Sequence, residues 1–333
     1  MMDIPSETED EVIPAETTHL RHYEDRLRHY VDQSQSDRTK REYASDWRQW
    51  EGWCEEEQVS PLPARPIGVA CFCVAMADRG LALSTIKRRL VTIREAHRRC
   101  NHPDPTSVKK VEATLDGIRR DPEVNSSADN AKAALRTQHV RQIVELLAEE
   151  ENEAKAARDK LIFLVGFCGG LRRSELATLQ VDDLSIQTEG MLVRIQRSKT
   201  DQEGAGQEVS IHRADEPIHC PVEATAAWMG QANLDNDDHL IQSVDRWGNV
   251  GSGGVTGRTI ANVVKSRAEE IGLDEREYSG HSLRAGFVTE LKSRGEGDSE
   301  IMEQTRHVSS QTLRRYDRAS ERFRMNYTGA LGL

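Results

Sequence analysis

The stretch HSLRAGFVTE, residues 281–290, sets His281 and Arg284 three positions apart. In a helix that spacing puts both on one face. Two such residues can point at a phosphate, although a solvated surface pair has the same spacing. Farther on, RHVSSQTLRRYDR, residues 306–318, carries His307 and Tyr316 nine positions apart. A lone Tyr more often packs than reacts. Upstream lies GFCGGLRRSELATLQ, residues 166–180. There Gly169 and Gly170 break an apolar helix, Ser174 is placed to cap the next, and Glu175 falls in its first turn. Arg172 and Arg173 stand at the join, near a helix N-terminus, where backbone donors and a positive dipole favour an anion. Between these stretches, Lys199 in QRSKTDQ, residues 196–202, follows a strand on a hairpin turn, where a Lys is usually solvated.

Working outward, residues 134–333 read as one domain, mostly helical. Its exception is a pair of strands, MLVRI (191–195) and EVSI (208–211), joined by a polar, glycine-containing turn. Residues 121–133 are polar and poor in large apolar side chains, and read as a linker. Residues 18–120 read as a second, all-helical domain of five segments: 19–33, 36–58, 66–80, 83–100 and 105–120. Ser36 or Asp37 is the expected cap of the second segment and Ser84 of the fourth, and Gly80 closes the third. Tyr43, Trp47, Trp50 and Trp53 recur along one or two faces of the second. Residues 1–17 are acidic and polar, with neither the basic nor the apolar region of a secretory signal, and read as a disordered tail. The expected fold class is therefore mainly α with a small β-hairpin.

The 333 residues carry a net charge of −11, which at first argues against a nucleic-acid partner. The charge is uneven, however. Residues 81–120 hold ten Lys and Arg against four Asp and Glu, while the tail and VELLAEEENEAKAA (144–157) are acidic. The apolar run LIFLVGFCGG is about half a membrane span, so no membrane partner is expected. The six cysteines form no CxxC pair and read as reduced, buried thiols of an intracellular protein rather than disulfides or a zinc site.

Taken in order, Arg172, Lys199, the His281-x-x-Arg284 box, His307 and Tyr316 resemble the active-site set of the tyrosine recombinases, the phage integrase family. The first arginine of that set follows Gly-Leu or Leu-Leu and precedes Glu by three, so GLRRSEL matches at Arg172 and not Arg173. The likeness extends to WRQWEGWCEEEQ (47–58), RGLALSTIKRRLVTIREAHRR (79–99), NAKAALR (130–136) and SGHS (279–282), which are similar to Cre-like members. The family position of His307 is Trp in Cre-like members and His in most others.

The resemblance implies a two-domain, C-shaped DNA clamp and transfer of a DNA phosphoryl group to Tyr316, without ATP, metal or other cofactor. Arg172 and Arg284 would fork onto the phosphate oxygens, and His307 would add a donor. His281 would take the tyrosine proton, Lys199 would protonate the leaving 5′ oxygen, and Glu175 would hold Arg172 or His281 in place. Two helices carry candidate DNA contacts: Thr39, Lys40, Arg41, Tyr43 and Arg48 on one, Ser84, Lys87, Arg88 and Arg94 on the other. Each is equally a residue of a solvated charged face. The implied partners are double-stranded DNA with an inverted-repeat site and three further copies of the chain. In the homotetramer a C-terminal helix, with Phe323, Met325, Tyr327 and Leu331 as anchors, would dock on a neighbour. The implied location is cytoplasmic, on nucleoid or plasmid. The competing readings are a non-enzymatic DNA-binding regulator, a topoisomerase- or telomere-resolvase-like enzyme with the same chemistry, and a helical scaffold with no DNA role.

Overall fold

The computed structural model describes residues 37–122, 132–196 and 206–306, with the single residues Tyr23, Arg26, His29, Tyr30 and Val124. The tail of residues 1–17, most of the expected first helical segment, most of the linker, Lys199, and everything from His307 onward lie outside them. The chain divides into two compact units, residues 1–131 and 132–333.

The first unit contains four described helices: α1 (Asp37–Glu56), α2 (Pro66–Asp78), α3 (Leu83–Arg99) and α4 (Lys109–Arg120). Its core is aromatic. Trp47, Trp50 and Trp53 recur at helical spacing on α1 and are all buried with Phe72 of α2. Trp50 stacks on Trp53 with centroids 5.6 Å apart and meets Phe72 edge-on at 5.0 Å, a geometry that the ring quadrupoles favour. The Trp50 indole N–H donates to the Pro61 carbonyl at 3.0 Å. His97 of α3 ties the unit to the α1–α2 connection, because its Nε2 accepts the Ala64 N–H at 2.8 Å and its Nδ1 lies 2.7 Å from the Ile93 carbonyl.

Helix α3 begins two residues earlier than a Ser84 cap would have it, with Ala82 at the cap position. Leu81 and Leu83 pack on the aromatic core, and that apolar anchoring sets the entry of the chain. The thiols differ from the expectation in part. Cys54, Cys73 and Cys220 are buried, but Cys71 is exposed and Cys100 and Cys168 are half-buried. Burial pushes Cys54 and Cys73 up to about 12, which keeps both as inert thiols.

In the second unit, α5 (Thr137–Leu147) and α6 (Glu153–Cys168) precede the short α7 (Arg173–Thr178). A three-stranded antiparallel sheet follows, in the order β1 (Leu184–Ile186), β2 (Gly190–Ile195), β3 (Gln207–His212). After α8 (Pro221–Ala232) come a hairpin of β4 (Gln242–Val244) and β5 (Val250–Gly254), then α9 (Gly257–Glu270), α10 (His281–Arg294) and α11 (Asp298–Thr305). Helix α6 is the hub. Leu161 through Val165 and Phe167 are buried, so its C-terminal half is apolar all round, as the central part of a core helix must be.

The sheet register places Val193 opposite Val209 and Met191 opposite Ile211, all buried on one face. Strands β2 and β3 contain the two strands expected from sequence; β1 and the β4–β5 hairpin were not foreseen. At the tip of that hairpin Trp247 is 71% exposed, with the Arg246 guanidinium 4.0 Å over its ring. Among the described residues no helix is long and apolar enough to cross a membrane.

Candidate active site and nucleic-acid face

The site grows from the end of α6. Gly170 takes a left-handed φ of +53°, and a Cβ there would lie 2.9 Å from Cδ1 of Phe287. Its conformation turns the chain sharply into Leu171 and Arg172. The helix end leaves carbonyls without intrahelical partners, and that of Gly170 accepts from Nη1 of Arg284, carried in on α10, at 2.7 Å. Arg284 is 1% exposed, so its guanidinium is fixed within the unit rather than waving in solvent.

Arg172, not Ser174, occupies the cap position of α7. Glu175 does the capping instead: its Oε2 accepts the Arg172 backbone N–H at 2.8 Å, while its Oε1 pairs with Nη1 of the same residue at 2.6 Å. The carboxylate thus serves both the helix start and the guanidinium. A second arginine holds it too, since Nη2 of Arg306 lies 2.6 Å from Oε2. Arg172 in turn donates from Nη2 to the Arg306 carbonyl at 3.0 Å. Burial alone would raise the Glu175 pKa, but Arg306 and then Arg172 outweigh it and hold the carboxyl below its ordinary value.

His281 opens α10. Its backbone N–H donates to Ser279 Oγ at 3.2 Å, and the Ser279 N–H donates to Ser282 Oγ at 3.0 Å, so the SGHS stretch closes its own helix start. Gly280 lets this turn lie against the Arg173 stem; a Cβ there would stand 2.9 Å from the Arg173 Cβ. The outer side of His281 is exposed, yet enough of the chain closes over the ring for desolvation to lower its pKa. The positive charges of Arg284, Arg172 and Arg173 lower it further. A neutral imidazole beside fixed guanidinium groups can accept a proton while the cations face an anion.

Four of the seven proposed site residues, Arg172, Glu175, His281 and Arg284, therefore gather around the α6–α7 join and the start of α10. A cleft of about 320 Å³ beside them is lined by Glu175, Asp183, Arg194 and Gln196. It reaches the end of β2, the strand that leads towards Lys199. Lys199, His307 and Tyr316 lie outside the described residues. Sequence reasoning gave Arg306 no role. The available signal was that a carboxylate at the start of a buried turn, Glu175, needs cationic partners from elsewhere in the chain.

The candidate DNA contacts of the first unit fall on two helix faces. On α3, Ser84, Lys87 and Arg88 are exposed and Arg94 half-buried, and the 3.6-residue repeat sets all four on one side. Arg88 also pairs at 2.5 Å with the buried Asp46 of α1. On α1, Arg41 and Arg48 are exposed and Thr39 and Lys40 half-buried. Tyr43 packs on the aromatic core, which gives it a structural task beside any contact with DNA.

Comparison with known proteins bears on this arrangement. The chain is 29% identical over 299 residues to an integrase/recombinase xerD homolog of Selenomonas ruminantium, covering 89% of this chain and 86% of the relative. It is 27% identical over 290 residues to the cre recombinase of Escherichia phage P1, covering 81% of each. The likeness to Cre is thus one among several. In fold it is similar to the Tn1549 transposon integrase in complex with transposon right end DNA, with a TM-score of 0.61, 13% identity and coverage of 93% of this chain and 96% of that one. It is also similar to the XerH site-specific recombinase bound to palindromic difH substrate, with a TM-score of 0.56, 16% identity and coverage of 79% and 72%. The sequence model of the phage integrase family matches residues 135–322, more than half of the chain. With the two arginines, the glutamate and the histidine of the motif brought to one join, this chain belongs to the phage integrase family, the tyrosine recombinases.

Proposed function

We propose that this protein is a site-specific recombinase that cuts and rejoins DNA through a 3′-phosphotyrosine and a Holliday junction. The observation that carries the reading is the convergence of Arg172 and Arg284 beside His281, with Glu175 fixing Arg172. A phosphodiester is an anion, and its transition state spreads further negative charge over the non-bridging oxygens. Fixed guanidinium donors aimed at that charge stabilise it more than they stabilise the ground state. Arg172 and Arg284 are assigned those oxygens, and His307 a further donor.

Tyr316 is assigned as nucleophile. A tyrosine hydroxyl titrates near about 10 and is protonated at neutral pH, so a base must take its proton as it attacks phosphorus. His281, held neutral, is assigned that step. The bond to the 5′ oxygen breaks, and Lys199 is assigned to protonate the leaving oxygen. The phosphotyrosine retains the bond energy, so a 5′ hydroxyl from a second duplex can reverse the attack and exchange the strands without ATP.

The α3 face of Ser84, Lys87, Arg88 and Arg94 and the α1 face of Thr39, Lys40, Arg41 and Arg48 are assigned to the duplex. Inverted-repeat sites, a homotetramer on two duplexes and a cytoplasmic, nucleoid-associated setting complete the reading. Covalent trapping tests it. The protein is incubated with nicked DNA of its host replicon and denatured, and the 3′ ends of protein-linked fragments are sequenced. Trapping by wild type and not by Tyr316→Phe supports the reading and reveals the site. Binding without trapping by either protein rejects it.

A further inference from the structure

Two guanidinium groups converge on Glu175, although the chemistry assigned above uses only one of them. Arg306 ends α11 with a left-handed backbone, φ +57°, which residues other than Gly, Asn and Asp seldom adopt. A glycine would hold that turn more easily, yet the position carries a large cation that is 6% exposed. Its side chain reaches Glu175 Oε2 at 2.6 Å and its carbonyl receives Nη2 of Arg172 at 3.0 Å. The chain then continues directly into His307.

We propose that Arg306 is a positioning residue that fixes the direction of Arg172 and keeps Glu175 from neutralising it. This rests on the recombinase reading. A carboxylate facing one arginine closes onto it as a two-pronged pair, the strongest arrangement for both, and such a pair competes with phosphate for the same fork. Here Oε2 is occupied by Arg306 and by the Arg172 backbone, so only Oε1 meets the Arg172 guanidinium. Among the described residues that fork commits two of its five N–H donors, which leaves three for an anion. Two cations on one carboxylate leave the site net positive. The Arg306 carbonyl supplies a second fixed point, so the plane of the Arg172 guanidinium is set by two anchors on different helices.

The test uses the full-length protein and a nicked duplex carrying its own recombination site, as identified by trapping. The single-turnover rate of covalent complex formation is followed from pH 5 to 9, with DNA affinity and melting temperature measured alongside. Arg306→Gln and Arg306→Gly are expected to slow cleavage about 10- to 100-fold, with DNA affinity within about twofold. The groups facing Glu175 are Arg172 and Arg306, with Arg194 and Asp183 across the cleft. Loss of Arg306 raises the Glu175 pKa, so cleavage should fail at a higher pH on acidification than in wild type. Arg306→Lys, which keeps the charge, should restore most of the rate and the wild-type acid limb. The glycine variant relieves the left-handed backbone, so a folding defect is not its expected result.

Wild-type rate and acid limb in Arg306→Gln overturn the proposal. So does a lysine variant as slow as the glutamine variant, or a rate loss matched by a loss of folded protein. If wild type forms no covalent complex, or Tyr316→Phe forms one, the recombinase reading fails and this inference with it. If wild type cleaves and the Arg306 variants match it, only the role of Arg306 fails.

Discussion

Arg284 of α10 donates from Nη1 to the carbonyl of Gly170 at the end of α6, 2.7 Å away. The bond joins the two sequence motifs, GLRRSEL and HSLRAG, through a backbone turn that only glycine enters easily. Gly170→Ala should therefore destabilise the second unit by about 1–3 kcal/mol and slow cleavage, since the added methyl meets Phe287 and displaces the carbonyl. Chemical denaturation together with covalent trapping checks both. Arg284→Lys tests the other partner. A lysine cannot hold the carbonyl and present a fork to phosphate together, and cleavage should fall about 10²- to 10³-fold in a protein that still binds DNA.

Arg173 lies beside His281 without being assigned to the chemistry. Its charge is one of three that disfavour the protonated imidazole, after desolvation. Arg173→Ala should raise the His281 pKa and move the acid limb of the cleavage rate to higher pH, with the rate at pH 8 near wild type. A pH–rate profile showing no shift would remove His281 as the titrating base.

His97 makes the first unit sensitive to acid. Its Nε2 accepts from Ala64, so the ring must be neutral to keep both bonds, and burial lowers its pKa. Unfolded His takes up a proton near about 6.5, whereas the folded ring resists until lower pH. The unfolded chain thus binds more protons in that window, and stability falls as pH drops below about 6.5. Urea unfolding of the first unit at pH 8 and pH 5.5 should show the loss, and His97→Asn should flatten it.

Lys87 and Arg88 are neighbours on α3 with different duties. Lys87→Ala should leave stability within about 0.5 kcal/mol and lower the slope of log affinity against log salt by about one ion. Arg88→Ala should match that slope and also cost about 1–2 kcal/mol of stability, because it takes one partner from Asp46, a buried carboxylate 2.5 Å away. Equal melting temperatures for the two variants would refute the distinction.

Long, strongly periodic elements were readable in the sequence. The tryptophan face of α1, the apolar α6 and the strands β2 and β3 followed from spacing alone. Helix starts were less so. Ser84 and Ser174 are good caps by residue type, yet Leu81 and Leu83 on the core moved one start, and Glu175 took over the capping at the other. The β4–β5 hairpin escaped notice because its strands are short, one of them glycine-rich, and show little alternation. At the site, the order of motif residues pointed to Arg172, His281 and Arg284, whereas Arg306 depends on a tertiary contact with a residue 131 positions away, which no local pattern encodes.

The placement of the tryptophans makes the protein its own optical probe. Trp47, Trp50 and Trp53 share the interior of the first unit and Trp228 that of the second, while Trp247 stands in solvent. Acrylamide should quench Trp247 first, and Trp247→Phe should leave an emission that is blue-shifted and poorly quenched. In that variant, three of the four remaining emitters sit within one core, that of the first unit, so loss of the blue-shifted signal during denaturation would report chiefly on that unit, separately from the half of the chain that holds the arginines.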